Sequence, residues 1–312
     1  MTPVPEPHSP KTMSIGISIG GLTIEIREPK GYPCLAWPLR PFESFSARSD
    51  SPADIHVDVS VVSPLPELTD QSLRFDAGPG LWKLFDTDAG LAIESLHTLT
   101  HQPRVRAVVS DDYRRVHAWM LPEYVGGQVG WCPMYLFNPV IEVCFLTRLA
   151  REGGLLLHAA GLASQQKGLV FTGPSGSGKS TIAHMFADRQ ARVLSDERIV
   201  LRCQNGSIFI YGSPWVGSGD YAVNSSAPLT SLYMIKHAQD RHHLTSLPPS
   251  TAVSQLLQQS FLPHWDSQCI ERTLDFLVSL LASVPYQSLA FLKQPDVVDL
   301  IHRTPTATMV PA

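Results

Sequence analysis

The segment Gly173-Pro174-Ser175-Gly176-Ser177-Gly178-Lys179-Ser180 constrains this chain more than any other. It fits the pattern G-x-x-x-x-G-K-[ST], which needs a strand to deliver it and a helix to leave it. The run Gly168-Leu169-Val170-Phe171-Thr172 supplies the strand, and a helix is expected from Lys179 to about Asp188. The glycines let the backbone turn so that successive N–H groups converge on one anion. The helix presents the positive end of its dipole to the same charge. In such a loop the lysine reaches the β- and γ-phosphates of a nucleotide, and the hydroxyl after it is a ligand for Mg²⁺. Gly173 to Ser180, with Thr181 after it, therefore form the expected cradle for a nucleotide's phosphates. A solvated Gly/Ser loop would account for the residue types but not for the order strand, loop, helix.

Around this motif the chain changes character near Asn138. Before it, alternating apolar residues predict strands. Ile15–Ile19 and Leu22–Ile26 flank Gly20-Gly21 as a hairpin, and Ile55–Val61 alternates in the same way. Further strands are expected at Leu81–Phe85, Leu91–Ser95, Val105–Ser110 and Val116–Leu121. Asn138-Pro139 reads as an N-cap and first helical residue, with the helix ended by Gly153-Gly154. Beyond it come a strand at Leu155–Ala160, the loop strand, and an Asn205-Gly206 hairpin between Ile199–Cys203 and Ser207–Tyr211. A strand near Leu232–Ile235, helices near 250–259, 267–283 and 296–303, and a strand near 287–292 complete the reading. The expected division is a flexible tail over 1–12, a β-rich domain over 13–135 and a mixed α/β domain over 136–312.

Composition narrows the function classes. Over 312 residues the chain is 44% hydrophobic and 17% charged, enough apolar material for a real core. A net charge of −4 without a basic stripe argues against a nucleic-acid or anionic-membrane binder. No secretory segment or transmembrane span is visible, so a cytoplasmic location is expected by default. The five cysteines are scattered and form no CxxC pair, so reduced thiols are expected rather than a zinc ribbon.

Two further features bear on chemistry. Asp196-Glu197 follows the short run Val193-Leu194-Ser195, just past the helix that leaves the loop. A carboxylate at a strand end beside such a loop suits a second Mg²⁺ contact or a general base. His158 lies mid-strand, one hairpin before the loop, where its ring can face a transferred phosphate or be a satisfied core histidine.

Taken in order, Leu157-His158-Ala-Ala-Gly161, the loop with its strand, and Leu194-Ser-Asp196-Glu197-Arg198 resemble the catalytic domain of HPr kinase/phosphorylase. They are closer still to the HPr-kinase-related family found beside peptide-modification genes. Gly212-Ser-Pro214-Trp215-Val-Gly217 and Ala227-Pro228-Leu229 resemble that family's downstream pattern, and the likeness covers about 140 to 300. It implies a core shared with ATP-dependent phosphoenolpyruvate carboxykinase, with a mixed sheet. It implies ATP and Mg²⁺, and transfer of the γ-phosphate to a hydroxyl, foremost a serine or threonine of a peptide or protein. By position Ser180 and Asp196 would hold the metal and Glu197 would be the base. Lys179 would stabilise the developing charge, and His158 would stand near the γ-phosphate. A homo-oligomer is also implied. The chain departs from the family in having Asp-Glu for Asp-Asp, in carrying Gly212–Gly219 where the glycine-rich substrate signature belongs, and in its N-terminal half. Three rival readings stay open: a kinase for a small-molecule hydroxyl, a phosphatase at the same site, and a nucleotide-binding regulator without transfer. A carboxykinase would need a longer chain.

Other features are set aside. His237, His242 and His243 with Asp240 and Arg241 read as a solvated loop. Asp111–Arg115 reads as a charged turn, and Gly126-Gly127 lacks the strand-to-helix setting of a dinucleotide loop. Trp215 is open between core and acceptor site.

Overall fold

The computed structural model describes residues 14–304 apart from Pro38, residues 49–51, Asp70 and Ala89, so the expected tail over 1–12 lies outside the described residues. The protein is a mixed α/β chain with large sheets and few helices, and it divides into two compact units. The first takes the chain to Ile17, Thr23–Trp37 and Ala47–Glu142; the second takes Ser18–Leu22, Pro38–Ser46 and Val143 onward.

In the N-terminal part, Ser14–Ile19 (β1) and Leu22–Arg27 (β2) pair through Gly20 and Gly21, both at positive φ. That is the turn whose twist matches two flanking strands, and it needs residues free of a Cβ. A single helical turn, Arg40–Glu43 (α1), precedes Ser46–Ala47 (β3) and Ile55–Val61 (β4). Then come Ser72–Asp76 (β5), Trp82–Thr87 (β6), Gly90–Leu96 (β7), Pro103–Val109 (β8) and Arg115–Met120 (β9). These make one nine-stranded sheet in the order β3-β1-β2-β4-β9-β8-β7-β6-β5. The sequence reading lacks β5, whose Ser-Leu-Arg-Phe-Asp alternates over only five residues, none of them buried. The turn between β8 and β9 is the charged one expected, with the Asp112 carboxylate accepting from the Ser110 hydroxyl and the Arg114 N–H. Gly126 and Gly127 turn a small hairpin of Glu123–Val125 (β10) and Gln128–Gly130 (β11).

A short helical turn precedes the expected cap, and Asn138 itself has the extended dihedrals of an N-cap, with Pro139 opening the helix as expected. Met134–Leu136 (α2) forms one turn, Asn138 breaks it with extended dihedrals (φ −137°, ψ 114°), and the helix resumes through Glu142–Arg151 (α3). Gly153, at φ +69°, ends the run.

The second unit continues with Gly154–Ser164 (β12), Lys167–Thr172 (β13), Lys179–Ala187 (α4), Arg192–Ser195 (β14) and Arg198–Gln204 (β15). Ser207–Tyr211 (β16), Ser226–His237 (β17), His243–Thr245 (β18), Pro249–Gln259 (α5), Ser267–Ser283 (α6), Tyr286–Phe291 (β19) and Asp296–Arg303 (α7) follow. Two long strands each serve two sets of partners. The first half of β12 pairs with β15 up to His158, and from Ala159 onward the strand pairs with β13. The start of β17 runs antiparallel to β16, while its later part lies parallel between β13 and β19. This mixed pairing is what the hairpins on either side of the loop predict.

β13 is buried on both faces, which is why it reads as an unbroken apolar run. Leu169 and Phe171 join a cluster with Ile182, Ala183 and Phe186 of α4 and Val297, Val298 and Ile301 of α7. Val170 joins the opposite cluster with Leu256 of α5 and Leu277 and Leu280 of α6. The Phe171 ring lies 5.2 Å from that of Tyr233 and 5.4 Å from that of Phe186. Full burial of a phenylalanine side chain contributes about 1.5–3 kcal/mol, so these rings fix α4, and the loop before it, against the sheet.

Candidate functional site

The loop is held by its neighbours before any ligand arrives. At its entry the Thr172 hydroxyl donates to the His158 carbonyl at 2.9 Å, tying β13 to β12. Gly173 passes so close to β17 that a Cβ there would stand 2.8 Å from the Ile235 carbonyl oxygen. Gly178 is at φ +100°, and a Cβ on it would lie 2.7 Å from the Phe291 ring. Glycine is therefore required at both ends of the turn by space, and at Gly178 by dihedral as well. The first N–H groups of α4 have no partner inside the helix and stand at the positive end of its dipole.

Lys179 is only 7% exposed, and its ammonium donates to the carbonyls of Gly173 (3.1 Å) and Pro174 (3.4 Å). Burial lowers its pKa, with the charges of Glu197 and Asp196 opposing that shift. The Ser177 hydroxyl is buried and makes no hydrogen bond. A desolvated ammonium resting on backbone carbonyls and an unpaired buried hydroxyl are groups that an incoming anion would satisfy.

Asp196 and Glu197 have separate surroundings. Asp196 is fully buried, and its carboxylate accepts from the N–H groups of Gly217 (3.1 Å) and Gly219 (2.8 Å). A Cβ on Gly217 would lie 2.8 Å from one Asp196 oxygen and 3.1 Å from Glu197 Oε2, so the loop can approach only as glycine. The Glu197 main chain is clamped on both sides, its N–H donating to Ser195 Oγ (3.2 Å) and its carbonyl accepting from Ala159 N–H (3.1 Å). Its carboxylate lies 3.3 Å from His158 Nε2. A bridge between Leu157 and Ser260 brings the end of α5, with Gln259, alongside His158.

A cavity of about 390 Å³ brings these groups together. Its wall carries His158, Ser175, Gly176, Gly178 through Thr181, Glu197, Ser218, His237 and Lys293. Among the described residues Glu197 is the only carboxylate on that wall, set against two lysines, and Asp196 is not on it. A cation-rich concavity at a helix N-terminus is chemically suited to phosphates. Among the described residues no three His, Cys, Asp or Glu side chains gather into a self-sufficient metal site. Mg²⁺ does not need one, because it is commonly held by one or two carboxylates with substrate phosphates and water.

Two of the cavity's residues were out of reach of the sequence. His237, set aside as part of a solvated loop, ends β17 with its Nε2 2.8 Å from the Gly176 carbonyl. Lys293 follows β19. Both strands run parallel to β13 in one sheet, so their C-terminal ends meet at the loop, as ligand sites do in such sheets. Neither pairing is written in the local sequence. His242 is also no solvated residue: Nδ1 accepts from Leu292 N–H at 3.1 Å and Nε2 meets Asp296 at 2.9 Å. Trp215 is half-buried, 5.7 Å from the Phe145 ring, and lines no part of the cavity.

The loop that supports Asp196 begins at Gly212, where any side chain would run into the Val223 carbonyl and lie 2.7 Å from that of Leu194. Gly212→Ala is expected to cost about 1–3 kcal/mol of overpacking. At roughly 2–4 °C per kcal/mol for a unit of this size, calorimetry should show Tm falling by about 2–12 °C.

His158 carries a pH prediction. Burial and then the nearby Lys179 charge lower its pKa, with Glu197 and Gln259 working against them. The unfolded imidazole takes up its proton near pH 6.5, and the folded one only at lower pH. As pH falls through that interval the unfolded chain binds more protons, so folding weakens. Between pH 8 and pH 5, Tm of His158→Gln should fall less steeply than that of the wild type.

Comparison with known proteins adds the following. A family model described as SynChlorMet cassette protein ScmC matches residues 134–275, less than half of the chain. No curated protein matches the sequence. Among solved structures, the HPr(Ser) kinase/phosphatase from Coxiella burnetii aligns with 47% of this chain and 93% of its own, at 15% identity and a TM-score of 0.29. No helix among the described residues is long and apolar enough to cross a membrane.

Proposed function

We propose that the second unit is an ATP- and Mg²⁺-dependent phosphotransferase that moves the γ-phosphate to a hydroxyl, foremost a serine or threonine of a peptide or protein. The observation that carries this reading is the meeting of Lys179, Glu197 and His158 around one cation-rich cavity at the N-terminus of α4. The motif order shared with HPr-kinase-related proteins points the same way.

The N–H groups from Gly173 to Thr181 would hold the phosphates, with Lys179 at the β,γ end and the Ser177 hydroxyl finding the partner it lacks. Ser180 and Glu197 are the side chains on the cavity wall suited to Mg²⁺, which when bound would neutralise charge on the phosphates. Glu197 also takes the proton of the acceptor hydroxyl. The acceptor oxygen bonds to the γ-phosphorus, the bond from that phosphorus to the β,γ-bridging oxygen breaks, and ADP keeps the bridging oxygen. His158, neutral at pH 7 because its pKa is lowered, stands with Nε2 3.3 Å from Glu197 Oε1, which would hold that oxygen and leave Oε2 for the acceptor. Asp196 is better suited to positioning than to the metal, since both its oxygens are engaged by the Gly217 and Gly219 amides.

The test is transfer of label from γ-labelled ATP with Mg²⁺ to peptides, proteins and small hydroxyl compounds. Label that depends on Lys179 supports the reading. Tight ATP binding with no transfer to any of them would replace it with a nucleotide-binding regulator, and absence of ATP binding would overturn it.

A further inference from the structure

A second and larger cavity, about 510 Å³, lies against the other side of the loop. The two cavities share Ser175, Gly176 and His237 as a common wall. Their chemistry differs. The second is lined by Gln255, Gln258 and Gln259 of α5, by the apolar side chains of Met234 and Leu247, and by loop backbone from Gly173 to Ser177. It has no carboxylate on its wall, and Lys236 is its lone permanent charge. The glutamines fall at i, i+3 and i+4, so one helical face presents all three carboxamides. The buried Ala252 and Leu256, on the adjoining stripe of the same helix, anchor it in the core.

We infer that this cavity receives the phosphate acceptor, and that the acceptor is an uncharged peptide segment with an apolar residue beside its serine or threonine. The inference rests on the phosphotransferase reading. Position comes first. On that reading Lys179, Glu197 and His158 mark the end of the phosphate site where transfer occurs. The second cavity reaches the same place: Thr172 on its wall donates to the His158 carbonyl at 2.9 Å, and a bridge between Leu157 and Ser260 sets Gln259 alongside. The second cavity therefore opens at the transferring end. The nucleoside leaves by the other end, past Thr181 and Lys293. Chemistry comes second. A carboxamide offers donors and an acceptor on one planar group, which matches a peptide group and leaves neither side unpaired. Met234 and Leu247 take up an apolar side chain. Its volume falls within the 300–1,000 Å³ usual for ligand pockets. A polyanionic acceptor would find one lysine there, and a loop whose N–H groups the nucleotide phosphates would already occupy.

The experiment uses the full chain, γ-labelled ATP with Mg²⁺, and eight-residue peptides with a central Ser or Thr. One set is flanked by Leu, Ala and Asn, a second by Asp and Glu, a third by Lys and Arg. The neutral set should be labelled at least tenfold faster than either charged set. In the double variant Gln255→Leu/Gln258→Leu, kcat/KM for the neutral set should fall at least tenfold, with Kd for ATP and for inorganic tripolyphosphate within twofold of wild type. Leu247→Glu should move the preference toward the Lys/Arg set.

If the double variant weakens ATP but not tripolyphosphate, the cavity is the base pocket and the inference is overturned. Labelling indifferent to these substitutions, or confined to charged peptides or small hydroxyl compounds, also overturns it. The parent reading fails separately, through Lys179→Ala: if that variant binds ATP as the wild type does, the phosphate site itself is misassigned.

Discussion

Lys179→Ala is expected to remove phosphoryl transfer while leaving the fold intact. The ammonium is nearly buried and rests on two carbonyls of its own loop. Those contacts contribute little to folding, because burial already lowers the lysine's pKa and so disfavours its charge in the folded state. Tm should therefore stay level or rise. Binding responds in the opposite sense. Truncating one partner of a desolvated charge pair costs about 2–5 kcal/mol, so Kd for ATP should rise roughly 30-fold or more. Loss of a donor aimed at developing charge should lower kcat by about a further 10²–10³. Calorimetry, ATP titration and turnover read the three effects separately. A variant that melts well below the wild type would show that the lysine's role is structural.

The second large effect separates two adjacent carboxylates. Glu197→Gln should lower turnover by about 10²–10⁴, the usual worth of a positioned base. Its Tm should hardly change, because the amide can still accept from His158 Nε2. Asp196→Ala should do the reverse in emphasis. It leaves the N–H groups of Gly217 and Gly219 without their acceptor, at about 1–3 kcal/mol for each buried donor. The protein should melt lower, and activity should fall only as far as Glu197 is displaced. If Glu197→Gln turns over normally and Asp196→Asn does not, the roles assigned here are exchanged.

The elements that the sequence made legible are those whose own residues determine them. The β1–β2 hairpin declares itself through Gly20-Gly21, and the β15–β16 hairpin through Asn205 and Gly206, both of which take positive φ. α5, α6 and α7 each carry a buried apolar stripe at helical spacing. The phosphate loop is legible because its glycines answer to local dihedrals and to contacts any such loop must make. β5 is not read because its alternation rests on only two apolar residues, Leu73 and Phe75, and β18 because three residues hold too little pattern. At the site, the loop, His158 and the acidic pair could be listed from sequence. The division of labour between Asp196 and Glu197 could not, since it depends on the glycine loop at 217–219 returning to one carboxylate and not the other. His237, Lys293 and Gln259 stayed invisible because strand pairing and helix docking bring them in across long separations.

The changeover in β12 has an effect of its own. His158 is the last residue of that strand bonded to β15, and Ala159 the first bonded to β13. On the proposed reading, the residue beside the transferred phosphate is therefore fixed where one strand changes partners, and drift on either side of that point reaches it. α5 belongs to no sheet, and Gln255 and Gln258, which lie before the Leu157–Ser260 bridge, can change without retuning that junction. On the proposed reading, such a plan would let the acceptor side vary while the nucleotide side is held nearly constant.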